Sequence, residues 1–124
     1  MNNKRPKHLA LHLIKLPLPG IVSLFHRISG LLLFIVLPLL LLMLQYSLRS
    51  IETYTQLLDV LAHPLFKAAL LGVLWAFLHH FCAGLRFLAI DLDYGVKLAL
   101  ARASSKMVLV ASIALTVLIG VRLW

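Results

Sequence analysis

The stretch from Gly30 to Leu44 carries no charged side chain, and it is the centre of a longer apolar segment from about residue 21 to residue 48. A helix needs roughly 20 apolar residues to cross the hydrocarbon core of a bilayer. The segment is therefore long enough to span a membrane with some tilt. Pro38 lies near its middle, where a membrane helix tolerates proline if neighbouring groups satisfy the freed carbonyl. A chain with such a segment is unsuited to an ordinary water-soluble fold.

Two further apolar segments follow, at about 64–90 and 107–124. The whole chain is 62% hydrophobic and 13% charged, whereas soluble domains are about half apolar and about a quarter charged. We therefore predict an all-α integral membrane protein with three transmembrane helices. It would consist of an N-terminal cytoplasmic or interfacial segment at 1–20 and a transmembrane domain at 21–124. With 124 residues, the chain has no room for a separate soluble catalytic domain.

The net charge of +8 comes from basic residues that flank the apolar segments. This placement indicates membrane topology and contact with lipid head groups, and it argues against nucleic acid as a partner. Because the first 20 residues do not resemble an Arg- and Ser-rich transit peptide, we expect a bacterial inner membrane. The positive-inside rule puts the N-terminus in the cytoplasm, since nine of the twelve basic residues fall on that side: Lys4, Arg5, Lys7, Lys15, Arg27, Arg86, Lys97, Arg102 and Lys106.

The second span carries His79, His80 and Arg86, and ionisable groups inside a span are costly and usually functional. His80 precedes Asp91 by eleven residues, which corresponds to about 16 Å along a helix and a depth near the middle of the bilayer. A neutral imidazole there either binds a metal such as haem iron or bonds to a neighbouring helix. Gly84 lies four residues after His80 on roughly the same helix face and allows a flat macrocycle or another helix to approach. His79 points about 100° away, so we expect packing or a hydrogen bond there.

A second polar group lies at the inner end of the first span. Ser23 and Arg27 are four residues apart and share a helix face. A hydroxyl beside a guanidinium is a suitable receptor for a carbonyl or carboxylate oxygen. Alternatively, Arg27 extends to the lipid head groups and Ser23 caps the helix.

The antiparallel course of the first two spans predicts how these two groups are related. We expect His26 and Arg27 to lie near the depth of the inner end of the second span. That depth is too far from His80 for binding the same iron, but it suits contact with haem propionates. The chain would then supply one axial ligand, and the second would come from another subunit.

Two motifs give the chain a family resemblance. Arg5-Pro6 is followed by the run Ser23-Leu-Phe-His-Arg-Ile-Ser-Gly30, and the second span contains His80-Phe-Cys-Ala-Gly-Leu-Arg-Phe-Leu-Ala-Ile-Asp91. The chain resembles the cytochrome b subunit family of succinate dehydrogenase, respiratory complex II, over essentially its whole length. It departs from the family pattern at Ile90, where an aromatic residue or Met is frequent, and at His79, where relatives carry Tyr or another residue.

The resemblance implies a role for each matching residue. His80 corresponds to the axial ligand of haem b, Ser23 and Arg27 to quinone-site residues, and His26 and Arg27 to contacts of the haem propionates. It also implies a second membrane-anchor subunit, an iron–sulfur subunit and a flavoprotein subunit as partners, with ubiquinone as electron acceptor. The chain would not be catalytic alone.

Three other functions compete with this interpretation. A fumarate reductase anchor has the same architecture, and a haem-free structural anchor would share the three spans. A transporter or channel component is disfavoured, because the intramembrane charges do not line one continuous path through the three spans.

Overall fold

The computed structural model describes residues 15–124, and these residues form four helices. The helices are α1 (Leu18–Ser47), α2 (Ile51–Ala62), α3 (Pro64–Asp91) and α4 (Leu98–Leu123). The described chain is thus entirely helical apart from its connections. Of the predicted N-terminal segment, residues 1–14 lie outside the described part, and with them the Arg5-Pro6 motif and three of the counted basic residues.

Helices α1, α3 and α4 are each long and apolar enough to cross a membrane. At 1.5 Å per residue, α1, α3 and α4 extend for about 45, 42 and 39 Å, against about 30 Å of hydrocarbon. The prediction of an all-α, three-span membrane protein is therefore confirmed. α1 continues through Pro38 to Ser47, and Pro64 occupies the first turn of α3, where its missing N–H costs no hydrogen bond.

α4 begins at Leu98, nine residues before the apolar segment that predicted the third span. Arg102 and Lys106 interrupt the apolar pattern in this first part of α4, and both side chains are exposed. The connection from α3 turns through Asp93 and Gly95, which have φ values of 63° and 79°. Gly95 suits this left-handed conformation because it has no β-carbon.

The twelve-residue helix α2 joins α1 to α3 and was not predicted from the sequence. A capping box starts it: the Ser50 hydroxyl accepts a hydrogen bond from the Thr53 backbone N–H, and Thr53 Oγ1 accepts one from the Ser50 N–H. Tyr46, in the last turn of α1, donates a hydrogen bond of 2.6 Å to Gln56 Oε1. These bonds fix α2 against the end of α1.

α3 packs against both α1 and α4 through small residues. Val22 of α1, Ala83 of α3 and Val108 of α4 form the apolar core, each at most 4% exposed. Ser105 and Ser112 of α4 are fully buried, and their hydroxyls donate to carbonyl oxygens of their own helix. Lipid tails provide no hydrophobic drive for helix association, so membrane helices depend on close van der Waals packing. Small side chains allow the helices to approach that closely.

Candidate functional site

His80 of α3 faces α1, and its ring contacts the polar residues of that helix. Nδ1 lies 3.0 Å from the carbonyl oxygen of His26 and 3.3 Å from Ser29 Oγ. A carbonyl oxygen can only accept, so this contact requires the proton on Nδ1. Ser29 Oγ also donates to the same carbonyl, at 3.0 Å. The bond fixes the tautomer and leaves a lone pair on Nε2.

Gly30 provides the space for the His80 ring. A β-carbon at this position would lie 2.8 Å from His80 Cε1 and 3.3 Å from Nδ1. Any side chain at residue 30 would therefore push the imidazole aside. Gly84 was predicted to let a macrocycle or another helix approach; a β-carbon there would lie 3.6 Å from His26 Nε2 of α1, an ordinary van der Waals contact. The preceding residue, Ser29, also contacts His80, and neither it nor Gly30 was assigned a role from spacing.

The His26 ring stacks on the His80 ring. The ring centroids are 4.2 Å apart and the planes differ by 7°. The expectation that His26 lies at a different depth from His80 is therefore wrong. The reason is that α1 begins at Leu18, so His26 is about 12 Å inside the helix, while His80 is about 16 Å from the end of α3 at Asp91.

His79 is enclosed in the interface between α1 and α3. Its side chain is 0% exposed, and neither ring nitrogen has a hydrogen-bond partner in the described part of the chain. The aromatic rings of Phe25 and Trp75 lie against it, with centroids 6.0 and 5.4 Å away. The prediction that His79 packs rather than shares the position of His80 agrees with this placement, and no hydrogen bond to its ring is formed by residues 15–124. His80 is the less enclosed of the two adjacent histidines.

Ser23 and Arg27 are four residues apart and so occupy successive turns of α1. Ser23 is half-buried and Arg27 is exposed. The exposed guanidinium can present its N–H donors to a ligand or to another chain.

Unlike the exposed Arg27, Arg86 is buried, and its guanidinium forms hydrogen bonds inside the helix bundle. Its side chain is 8% exposed; Nε donates to Ser104 Oγ at 2.9 Å, and Nη2 donates to the Ala101 carbonyl at 3.3 Å. Both partners belong to α4. The arginine thus joins α3 to α4, a contact that spacing within the second span could not reveal.

A groove of about 520 Å³ lies between α3 and α4, lined by residues that include Cys82, Arg86 and Met107. It lies on a different face of α3 from His80, since neither His26 nor His80 lines it. The polar cluster that faces α1 is therefore the better candidate for chemistry.

Comparison with known proteins adds to this geometry. A family model described as the succinate dehydrogenase/fumarate reductase transmembrane subunit matches residues 1–119. A Coxiella burnetii protein named succinate dehydrogenase cytochrome b556 subunit is 38% identical over the full length of both chains. Proteins of the same name from Rickettsia felis and Paracoccus denitrificans are each 32% identical, over 96% and 92% of this chain and 93% and 88% of their own lengths. The residues matched by the family model include His26 and His80.

Proposed function

Because the chain belongs to the family of succinate dehydrogenase/fumarate reductase transmembrane subunits, we propose that it holds haem b and forms part of a ubiquinone reduction site. It is a multi-pass membrane protein and a membrane subunit of succinate dehydrogenase, as the motifs predicted. In this proposal it anchors a flavoprotein subunit and an iron–sulfur subunit to the membrane. A second membrane-anchor subunit completes the haem site, and the N-terminus lies in the cytoplasm.

The orientation of the His80 imidazole carries the haem assignment. Nδ1 donates to the His26 carbonyl, so Nε2 keeps the lone pair that binds iron. Histidines that ligate metals in proteins almost always donate their other ring N–H to a carbonyl or carboxylate in this way. The residues present therefore fit a haem that His80 ligates through Nε2. When bound, the haem supplies one-electron transfer through its iron.

The adjacent histidine is the natural rival for the ligand. His79 has two nitrogens without partners, but its side chain is enclosed between Phe25, Trp75 and the body of α1. An iron atom could reach His79 only if α1 and α3 separated. The difference in enclosure supports His80.

His26 and Arg27 are assigned to the propionate groups of the haem. The 4.2 Å stack places His26 beside the ligand ring, so a macrocycle bound at His80 has this imidazole close by. Arg27 follows in the chain and is exposed, and a guanidinium binds a carboxylate in a bidentate manner.

Ser23 and Arg27 are assigned to the quinone. Reduction of a quinone to a quinol places negative charge on its oxygens before protons arrive. The Ser23 hydroxyl can donate a hydrogen bond to one oxygen, and the Arg27 guanidinium can stabilise the charge that develops there. Both side chains remain accessible at least in part, as such a role requires.

A difference spectrum of the assembled complex, reduced by dithionite minus oxidised, tests the haem assignment. The wild type should show a b-type α band that His80→Ala abolishes. His79→Leu is the matched control, because the buried nitrogens of His79 have no hydrogen-bond partner among the described residues to lose. This variant should keep the band.

Three results would count against the proposal. Loss of the band in His79→Leu but not in His80→Ala would reassign the ligand to His79. Loss in both variants, despite normal assembly, would exclude a specific role for His80. No band in the assembled wild type would reject the haem and leave a membrane anchor with at most a quinone site.

The reverse enzyme, fumarate reductase, is the second candidate, since the family description covers both. The relatives from Coxiella, Rickettsia and Paracoccus are all named as succinate dehydrogenase subunits, which favours succinate oxidation.

A further inference from the structure

Helix α2 is held close to the membrane surface by its connections. Only residues 48–50 separate it from α1, and only His63 separates it from α3. Three extended residues reach at most about 11 Å, so α2 cannot move far from the ends of the two spans. The hydrogen bond from Tyr46 to Gln56 Oε1 restrains it further.

One side of α2 packs against the spans, and a second apolar side has no partner within the described chain. Thr53, Leu57 and Leu61 are half-buried and lie along one face. At 100° per residue, the next face holds Ile51, Tyr54 and Leu58 within an arc of about 60°. These three side chains are 84%, 49% and 46% exposed.

The polar side chains of α2 lie on a third face. Glu52, Thr55 and Asp59 also fall within an arc of about 60°, and all three are exposed. The centre of this arc is about 100° from the centre of the exposed apolar face. Around the helix axis, the face that packs against the spans is thus followed by the exposed apolar face and then by the polar face.

The chain on either side of α2 also exposes large apolar side chains. Leu48 before α2 and Leu65 after it are 76% and 70% exposed, at the ends of helices that cross the bilayer. A helix with segregated apolar and charged faces, held at this level, has the pattern of a helix that lies in a membrane interface. Tyrosine, as at residue 54, is enriched at such interfaces.

We propose that α2 lies in the plane of the bilayer surface and inserts Ile51, Tyr54 and Leu58 at the boundary between lipid head groups and acyl chains. Glu52 and Asp59 then face water. The basic residues that attract anionic lipid are few near α2, so apolar burial rather than charge holds it there. The helix thereby fixes the depth at which α1 and α3 leave the membrane. This proposal does not depend on haem or quinone binding.

The test uses single-cysteine variants in a Cys82→Ala background, within the assembled complex in phospholipid vesicles. Ile51→Cys and Leu58→Cys probe the apolar face, and Thr55→Cys and Asp59→Cys are matched controls on the same helix. Each carries an environment-sensitive fluorophore. Quenchers attached to lipid should act more strongly at residues 51 and 58, and iodide in water more strongly at residues 55 and 59.

Two outcomes would overturn the proposal. Equal quenching by iodide at all four positions would mean that the apolar face is in water. Protection of residues 51 and 58 from both quenchers would mean that another protein subunit covers them.

If a variant fails to assemble, a lipid carrying a photoactivated diazirine can label the unmodified complex. Mass spectrometry should then find the label on Ile51, Tyr54 and Leu58. A complex labelled elsewhere on the spans but not on α2 would contradict insertion.

Discussion

A single methyl group added at Gly30 should displace the His80 imidazole. The added β-carbon of Gly30→Ala would lie 2.8 Å from His80 Cε1. Carbon atoms in favourable contact are about 3.5–4.0 Å apart, so the ring must move by about 0.7 Å or more. Nδ1 lies only 3.0 Å from the His26 carbonyl oxygen, and a shift of this size is enough to weaken or break that hydrogen bond.

The expected effect on folding is small, and the expected effect on haem binding is large. Alanine favours a helix over glycine by about 1 kcal/mol, whereas overpacking costs about 1–3 kcal/mol. The net change in the free energy of unfolding should therefore stay within about 2 kcal/mol of destabilisation, and the chain should assemble. Loss of a partner that orients a metal ligand lowers affinity about 10–100-fold. We expect a decrease of this size in haem affinity.

The assay measures haem per assembled complex, and the rate of haem loss to an excess of apomyoglobin. Gly72→Ala on α3 is the matched control, because an added β-carbon there meets nothing within 4 Å. Gly84→Ala creates only an ordinary contact at 3.6 Å and should also retain haem. If assembled Gly30→Ala retained haem as well as Gly72→Ala does, the described restraint on His80 would be refuted.

Two predictions concern the arginines. Arg27→Ala should reduce succinate-dependent quinone reduction while oxidation of succinate by an artificial acceptor persists. Arg102→Ala is the control, because Arg102 is also exposed. Equal loss of both activities would indicate failed assembly instead. Arg86→Ala removes a charged donor to Ser104 and to the Ala101 carbonyl and should lower stability by about 2 kcal/mol, seen as earlier thermal unfolding in detergent. Unchanged unfolding would show that this contact does not hold α4 in place.

The apolar pattern was sufficient to predict the three long helices but not their limits. It missed the first nine residues of α4, because Arg102 and Lys106 break the apolar run while the backbone remains helical. It also missed α2, whose twelve residues are too few and too polar to register as a span. The capping residues Ser50 and Thr53 were the available signal for that helix, and they carry no information about its packing.

The candidate site was only partly predictable for a related reason. Spacing within one helix correctly separated His79 from His80, because 100° of rotation sends neighbours to different faces. Contacts between helices depend on their relative depth, which the apolar limits define only to within a turn or two. This is why the stack of His26 on His80, and the role of Gly30 opposite that ring, emerged only from the packed helices.

The polar contacts of α3 also constrain how the sequence can change by insertion or deletion. His80 bonds toward α1 and Arg86 toward α4, and the six intervening steps set these side chains about 120° apart around the helix axis. One residue gained or lost between them would turn one anchor by about 100° relative to the other. The number of residues between His80 and Arg86 therefore sets the angle between the two contacts. Side chains in this segment can vary, but an insertion or deletion would release either α1 or α4 from α3.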